Sequence, residues 1–212
     1  SDADGVIDLV DLIVGSEGIF GLITSVTFRL KEMPTEFLDL FFTLPTEMDA
    51  VNFHQYISNH FNGDLSQITA LEYFGYNCQP YMDHQEELFN SSSEVGIYFQ
   101  IPLYDKSVED VAEEWLEILK NSQCGIQEDG ILLLNDPKNW RTFFNARHSI
   151  PSNALDKTRQ LDTWSILTDT IVPPENFPEF LDSTHAILQK ANIEYLLFGH
   201  LGDCHLHFHL IP

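Results

Sequence analysis

Short β-forming runs alternate with amphipathic helical stretches along this chain, and no glycine-rich phosphate loop joins any strand to the helix after it. From Phe37 to Leu44 the residues favour a strand, and Pro45 stops it. Thr46 then caps a helix expected to run to about Phe61, with Glu47 and Asp49 in its first turn. Ile68–Phe74 and Val95–Leu103 are strands, and a short helix is expected around Asp83–Phe89. Ser107 opens another helix with capping-box spacing to Asp110, and Val111, Trp115, Ile118 and Leu119 follow at helical intervals. Next come a short strand at Ile131–Leu134, a helix from Pro137 to His148 and a polar loop at 152–162. Thr163–Val172 is strand-like, with Trp164 placed in the core. A helix over Glu175–Lys190 offers Phe177, Phe180, Leu181, Ile187 and Leu188 as a buried stripe. Tyr195–Phe198, a turn at 199–203 and Leu206–Ile211 complete the series. This order implies an α+β fold, an antiparallel or mixed sheet with helices packed on one face.

The first thirty residues differ. An apolar segment leads through a glycine turn into an alternating run, with Val26, Phe28 and Leu30 against Thr27, Arg29 and Lys31, the pattern of a half-buried strand. Pro34 and Thr35 mark a domain seam.

Charge narrows the partners. The net charge is −23 over 212 residues, and it comes more from scarce Lys and Arg than from abundant acids. Such a field disfavours nucleic acid and anionic membrane surfaces. Three widely spaced cysteines, Cys78, Cys124 and Cys204, form no CxxC, which fits a reduced, cytoplasmic setting without disulfides. No apolar run reaches the roughly 20 residues of a membrane span. Both ends look cut rather than finished.

Three motifs carry chemistry. In Gly199-His-Leu-Gly-Asp-Cys-His-Leu-His-Phe-His209, a strand would place His205, His207 and His209 on one face, with His200 folded back towards them by the glycine-containing turn. Converging imidazoles suit Zn²⁺ or another borderline divalent ion, whereas a plain polar strand face would leave them solvated. In Gly15-Ser-Glu-Gly-Ile-Phe-Gly21, glycines three apart allow backbone amides close to an anionic ligand, or form an ordinary turn. Arg147, one of four arginines, either pairs locally or grips a substrate carboxylate with its planar fork. Glu72 and Asp169, each among apolar or β-branched neighbours, are inward-facing acids or edge charges.

Together these segments resemble the FAD-linked oxidase and dehydrogenase family of the vanillyl-alcohol oxidase type, which includes glycolate oxidase and the D-lactate and D-2-hydroxyglutarate dehydrogenases. Residues 15–24 are similar to the family's G-S-E-G-T-L-G-I-I-T, and residues 199–207 to its G-H-x-G-D-G-N-L-H. Asp169–Pro174 resembles D-x-x-V-P-x, and Phe144–Arg147 the helix with a carboxylate-binding arginine. The resemblance implies a ferredoxin-like cap (substrate) domain over residues 35–212, cut short at its C-terminus. Residues 1–34 would be the end of the FAD-binding domain. It also implies that Gly15, Ser16, Glu17, Gly18 and Gly21 lie on the flavin side, that His200 and His207 ligate a metal, and that Arg147 holds the substrate carboxylate. A missing N-terminal lobe would bind most of the FAD, a motif beyond Pro212 would supply a further metal ligand and the base, and an iron–sulfur module is a further partner. The implied reaction is oxidation of a small 2-hydroxy carboxylate to the 2-oxo acid, this fragment being inactive alone. Cys204 and His205 stand where the family has Gly and Asn, and Leu167 where several members carry a substrate-binding lysine. Two other readings compete: a metal-dependent hydrolase built on the His-x-His strand, and a non-catalytic acidic module that docks a basic partner.

Overall fold

Strand β1, Glu36–Leu44, turns Leu38, Leu40, Phe42 and Leu44 to one side and Phe41 to the other, and all five are buried. A sheet with both faces covered explains that pattern. In the computed structural model, which describes residues 7–212, eight strands form one sheet. They are β1, β2 (Ala70–Phe74), β3 (Val95–Leu103), β4 (Leu132–Leu133), β5 (Ile166–Leu167), β6 (Thr170–Ile171), β7 (Glu194–His200) and β8 (His205–Ile211). Their order is β4-β1-β3-β2-β7-β8-β5, with β6 also pairing β8, and every pairing is antiparallel.

One face is covered by α2 (Glu47–His60), α3 (Val108–Asn121) and α5 (Phe177–Lys190). Phe53 and Ile57, Val111, Trp115 and Leu119, and Phe177, Leu181 and Leu188 pack there against Phe42, Ile97, Phe99 and Leu197. A fourth helix, α4 (Pro137–Gln160), lies on the opposite face and buries Phe143, Ala146, Ile150 and Ala154 against Phe41, Phe74, Tyr98 and Leu196. Phe143 is central to that layer, its ring centroid 5.0 Å from Phe41, 5.2 Å from Tyr98 and 5.8 Å from Phe74. The antiparallel α+β architecture expected above is therefore present, with α4 adding a layer on the second face.

Local signals set several boundaries. Thr46 and Ser107 cap α2 and α3 through their side chains, accepting from the amides of Asp49 and Asp110. Asp136 does the same for Lys138 and Asn139 at the start of α4, with Pro137 at the first helical position.

Other expectations need correcting. The helix expected to stop at His148 continues through the supposed loop to Gln160, because Ile150, Ala154 and Thr158 keep the buried stripe in step. Pro151 has no N–H for the Arg147 carbonyl, but the buried contacts on either side hold the helix together. The segment around Asp83–Phe89 forms no α-helix; 3₁₀ turns occupy Tyr76–Tyr81 and Gln85–Glu87. Thr163–Val172 is two short strands, since the ladder to β8 lapses at 168–169 without a change of register. Trp164 is 86% exposed and Ile187 66% exposed, so neither joins the core.

The chain divides into two compact units between Met33 and Pro34. In the first, Asp8 caps a short helix, α1 (Leu9–Ile13), and residues 21–33 form no strand. Val26, Phe28 and Leu30 are exposed, because period-2 alternation makes a strand only where a neighbour supplies the ladder. Residues 1–6 of the flavin-lobe segment expected at 1–34 lie outside the described residues.

Candidate active site

A row of polar side chains crosses the α4 face of the sheet because antiparallel register aligns them. Tyr98 of β3 lies opposite Glu72 of β2, Glu72 opposite His200 of β7, and His200 opposite His205 of β8. Above this row α4 suspends Arg147. Its Nε donates to Glu72 Oε2 at 3.1 Å, and its Nη2 donates to the same oxygen at 2.9 Å and to Oε1 at 3.2 Å. Of the alternatives left open by the sequence, the local pair is formed, and the guanidinium also lines a cleft of about 200 Å³ with Phe74, Ile150, Phe198, His200 and His207. Glu72 thus proves to be an inward-facing acid, its side chain 14% exposed.

The glycines of the turn have specific jobs. At Gly199 (φ +141°) a Cβ would lie 2.8 Å from the His205 carbonyl oxygen and 2.9 Å from His207 Cδ2, so only glycine lets the His207 ring sit against β7. Cys204 has the left-handed backbone (φ 50°, ψ 38°) that explains the glycine usual at this position in the resembling family. Its thiol is fully buried and pushed up to about 11, chiefly by that burial. His54 of α2 reaches the same turn, with Nε2 3.3 Å from the Gly202 carbonyl oxygen, a contact that requires the proton on Nε2.

Asp169 sits in the gap between β5 and β6. Thr168 ties that gap to β8: its amide donates to the Phe208 carbonyl at 3.0 Å, and its hydroxyl accepts from the Phe208 amide at 3.2 Å. The carboxylate then meets two imidazoles. Asp169 Oδ1 is hydrogen-bonded to His205 Nε2 and lies 3.0 Å from His207 Nδ1. His207 Nδ1 is buried, and its contact with Asp169 is poorly aligned for a hydrogen bond. Burial holds the His207 imidazole below its usual range, against the pull of the nearby Asp169 charge. Asp169 is held low mainly by its bond to His205.

Ligand atoms of Asp169, His205 and His207 all lie within 4.8 Å of one another. Two imidazoles and a carboxylate, one imidazole nitrogen buried and poorly aligned with its neighbour, are a donor set suited to Zn²⁺ or a similar divalent ion. His200 flanks this group, its ring centroid 5.5 Å from His205 and 5.4 Å from His207 and its Nδ1 3.6 Å from Glu72 Oε1. His209, on the same face of β8, stays apart; its Nε2 is buried without a partner, and burial lowers its basicity. The convergence of Asp169 with His205 was not evident from the sequence, because it depends on β5, β6 and β8 pairing across about forty residues.

The other motif lies in the first unit. After α1, successive turns link Ser16 to Ile13, Ile19 to Ser16 and Gly21 to Gly18 by amide–carbonyl bonds. Gly15, Glu17, Gly18 and Gly21 all have positive φ, and no atom lies within 4 Å of where a Cβ would stand on the three glycines. Backbone conformation, not crowding, calls for glycine there.

Residues 79–211, which carry most of this sheet and the cleft, match the family of FAD linked oxidases, C-terminal domain. The chain belongs to that family, one of FAD-linked oxidoreductases. A D-lactate dehydrogenase of Anaerostipes hadrus is 23% identical over 205 residues, covering 95% of this chain and 42% of that protein. Among solved structures, an alkyldihydroxyacetonephosphate synthase aligns over 96% of this chain and 42% of its own, with a TM-score of 0.58 and 17% identity. A 4-ethylphenol oxidase from Gulosibacter chungangensis aligns over 87% and 40%, with a TM-score of 0.52 and 12% identity. At these identities the structures show a shared fold. The chain spans about two fifths of the length of each of these proteins. Among the described residues no helix is long and apolar enough to cross a membrane.

Proposed function

We propose that this chain is the substrate-side part of a flavoenzyme that oxidises a small 2-hydroxy carboxylate, of the D-lactate or glycolate kind, to the 2-oxo acid. The observation that supports this most is the common cleft: Arg147 lines it together with His200 and His207, and the Asp169–His205 pair adjoins them. Arg147 orients the substrate by its carboxylate, the role its planar fork suits best. Phe74, Ile150 and Phe198 form the apolar wall and limit water around the reacting carbon. His200 and His207, with Asp169 and His205 beside them, would hold a divalent metal, which when bound lowers the pKa of a coordinated hydroxyl. FAD would take the hydride, and the protein supplies orientation and electrostatics.

In this reading residues 35–212 are the cap domain and residues 1–34 the end of the flavin-binding domain, with the segment from Gly15 to Gly21 on the flavin side. The rest of the FAD site then belongs to the larger protein, and the isolated chain is inactive. Electron transfer onward to an iron–sulfur module and a cytoplasmic location complete the proposal. Anaerobic mixing of the full-length flavoprotein with D-lactate or glycolate tests it. Bleaching of the flavin band with stoichiometric 2-oxo acid is expected; an unreduced flavin with every 2-hydroxy acid tried would overturn it.

A further inference from the structure

We infer that Glu72 is a specificity-determining residue that makes the Arg147 cleft select monocarboxylates and reject dicarboxylates, an inference that rests on the 2-hydroxy acid reading above. Among the described residues, Arg147 is the sole Lys or Arg lining the cleft. Its charge is already matched by Glu72 through three hydrogen-bond contacts. Those contacts use Nε and Nη2, so Nη1 is not engaged by Glu72, and one substrate carboxylate can be accepted without breaking the pair. A second carboxylate finds no second Lys or Arg side chain in the cleft. It meets the apolar wall of Phe74, Ile150 and Phe198, or Glu72 itself. Leu167, 59% exposed on the neighbouring edge strand, offers no charge either.

Glu72 cannot easily retreat from this position. It stands in β2, hydrogen-bonded on one side to β3 and on the other to β7, with its neighbours Leu71 and Tyr73 buried in the opposite core. A carboxylate fixed in that way discriminates by repulsion, which is the means by which one partner is disfavoured without improving the contacts to another. It also holds the Arg147 guanidinium in one orientation, so the monocarboxylate meets a preset Nη1 donor.

The test compares D-lactate with D-malate in flavin reduction by the full-length flavoprotein. Alongside it, binding of two inert oxo acids, 2-oxobutyrate and 2-oxoglutarate, to the same protein is measured by calorimetry. Wild type is expected to favour the monocarboxylate of each pair by at least about tenfold, and Glu72→Gln to shrink that ratio by about tenfold or more, mostly through KM for the dicarboxylate. Glu72→Ala serves as the second variant, and thermal melts report whether each folds. A wild type that accepts both classes equally overturns the inference while leaving the oxidase reading intact. So does a Glu72→Gln protein in which both substrates weaken by the same factor, the signature of a purely structural role. If no 2-hydroxy acid reduces the flavin, the functional reading fails. The calorimetric ratio then still decides whether Glu72 selects by charge.

Discussion

Acidification should destabilise this protein through His54, and the size of the effect follows from its surroundings. His54 is 3% exposed, packed against Phe177 at a ring-centroid distance of 6.2 Å, and bonded to the Gly202 carbonyl. Burial lowers its pKa below 6.5; the Gly202 bond and the Asp203 charge oppose that shift and do not outweigh it. The folded state therefore binds a proton less readily than the unfolded chain. Above the unfolded value both states are neutral at this site and nothing is lost. As pH falls below about 6.5, the unfolded state takes up the proton first and stability drops until the folded pKa is passed. One proton gives a limiting slope of about 1.4 kcal/mol per pH unit, and up to about 1.4 kcal/mol in total between about pH 7.5 and 5.5. Urea unfolding at several pH values, with a chelator present, measures this. His207 and His209 are lowered in the same direction, so the whole protein loses more. The difference between wild type and His54→Gln isolates the single site, since the amide can still donate to Gly202. That difference should tilt only below about pH 6.5. Parallel stability curves for the two proteins across the range would refute the argument.

Three other outcomes are expected. Phe143→Ala should cost about 3–5 kcal/mol, read as a lower urea midpoint with unchanged m, because a ring with no exposure and four aromatic neighbours is removed. Cys78 and Cys204, both fully buried with thiols pushed up to about 12 and about 11, should react with a disulfide reagent only after denaturation. Titration with Co²⁺ should give one visible-band site per chain, weakened by at least about tenfold in Asp169→Asn and in His207→Ala; unchanged titrations would remove Asp169 and His207 from any metal site.

The parts of the fold that were legible are those set by neighbours in sequence. Strand β3 and the start of α3 lie where the sequence places them, because alternation and the Ser107 cap are local. The second half of α4 was obscured by Pro151, Ser152 and Asn153, which carry loop signals, while the residues that keep it helical, Ile150, Ala154 and Thr158, count only once a sheet lies beneath them. Pairing across long separations hid more of the site. Arg147 and the histidine strand announced themselves by residue type. Glu72 and Asp169, the acids that orient them, are separated from them in sequence by 75 and 36 residues and are joined to them only by sheet register and helix docking.

The role of Arg147 carries the account, and the KM for D-lactate in an Arg147→Met flavoprotein tests it most directly. With FAD content and melting temperature matched to wild type, KM should rise by about tenfold or more, as expected for truncating one partner of a half-buried charge pair. An unchanged KM in a folded, flavin-loaded variant would show that Arg147 does not hold the substrate.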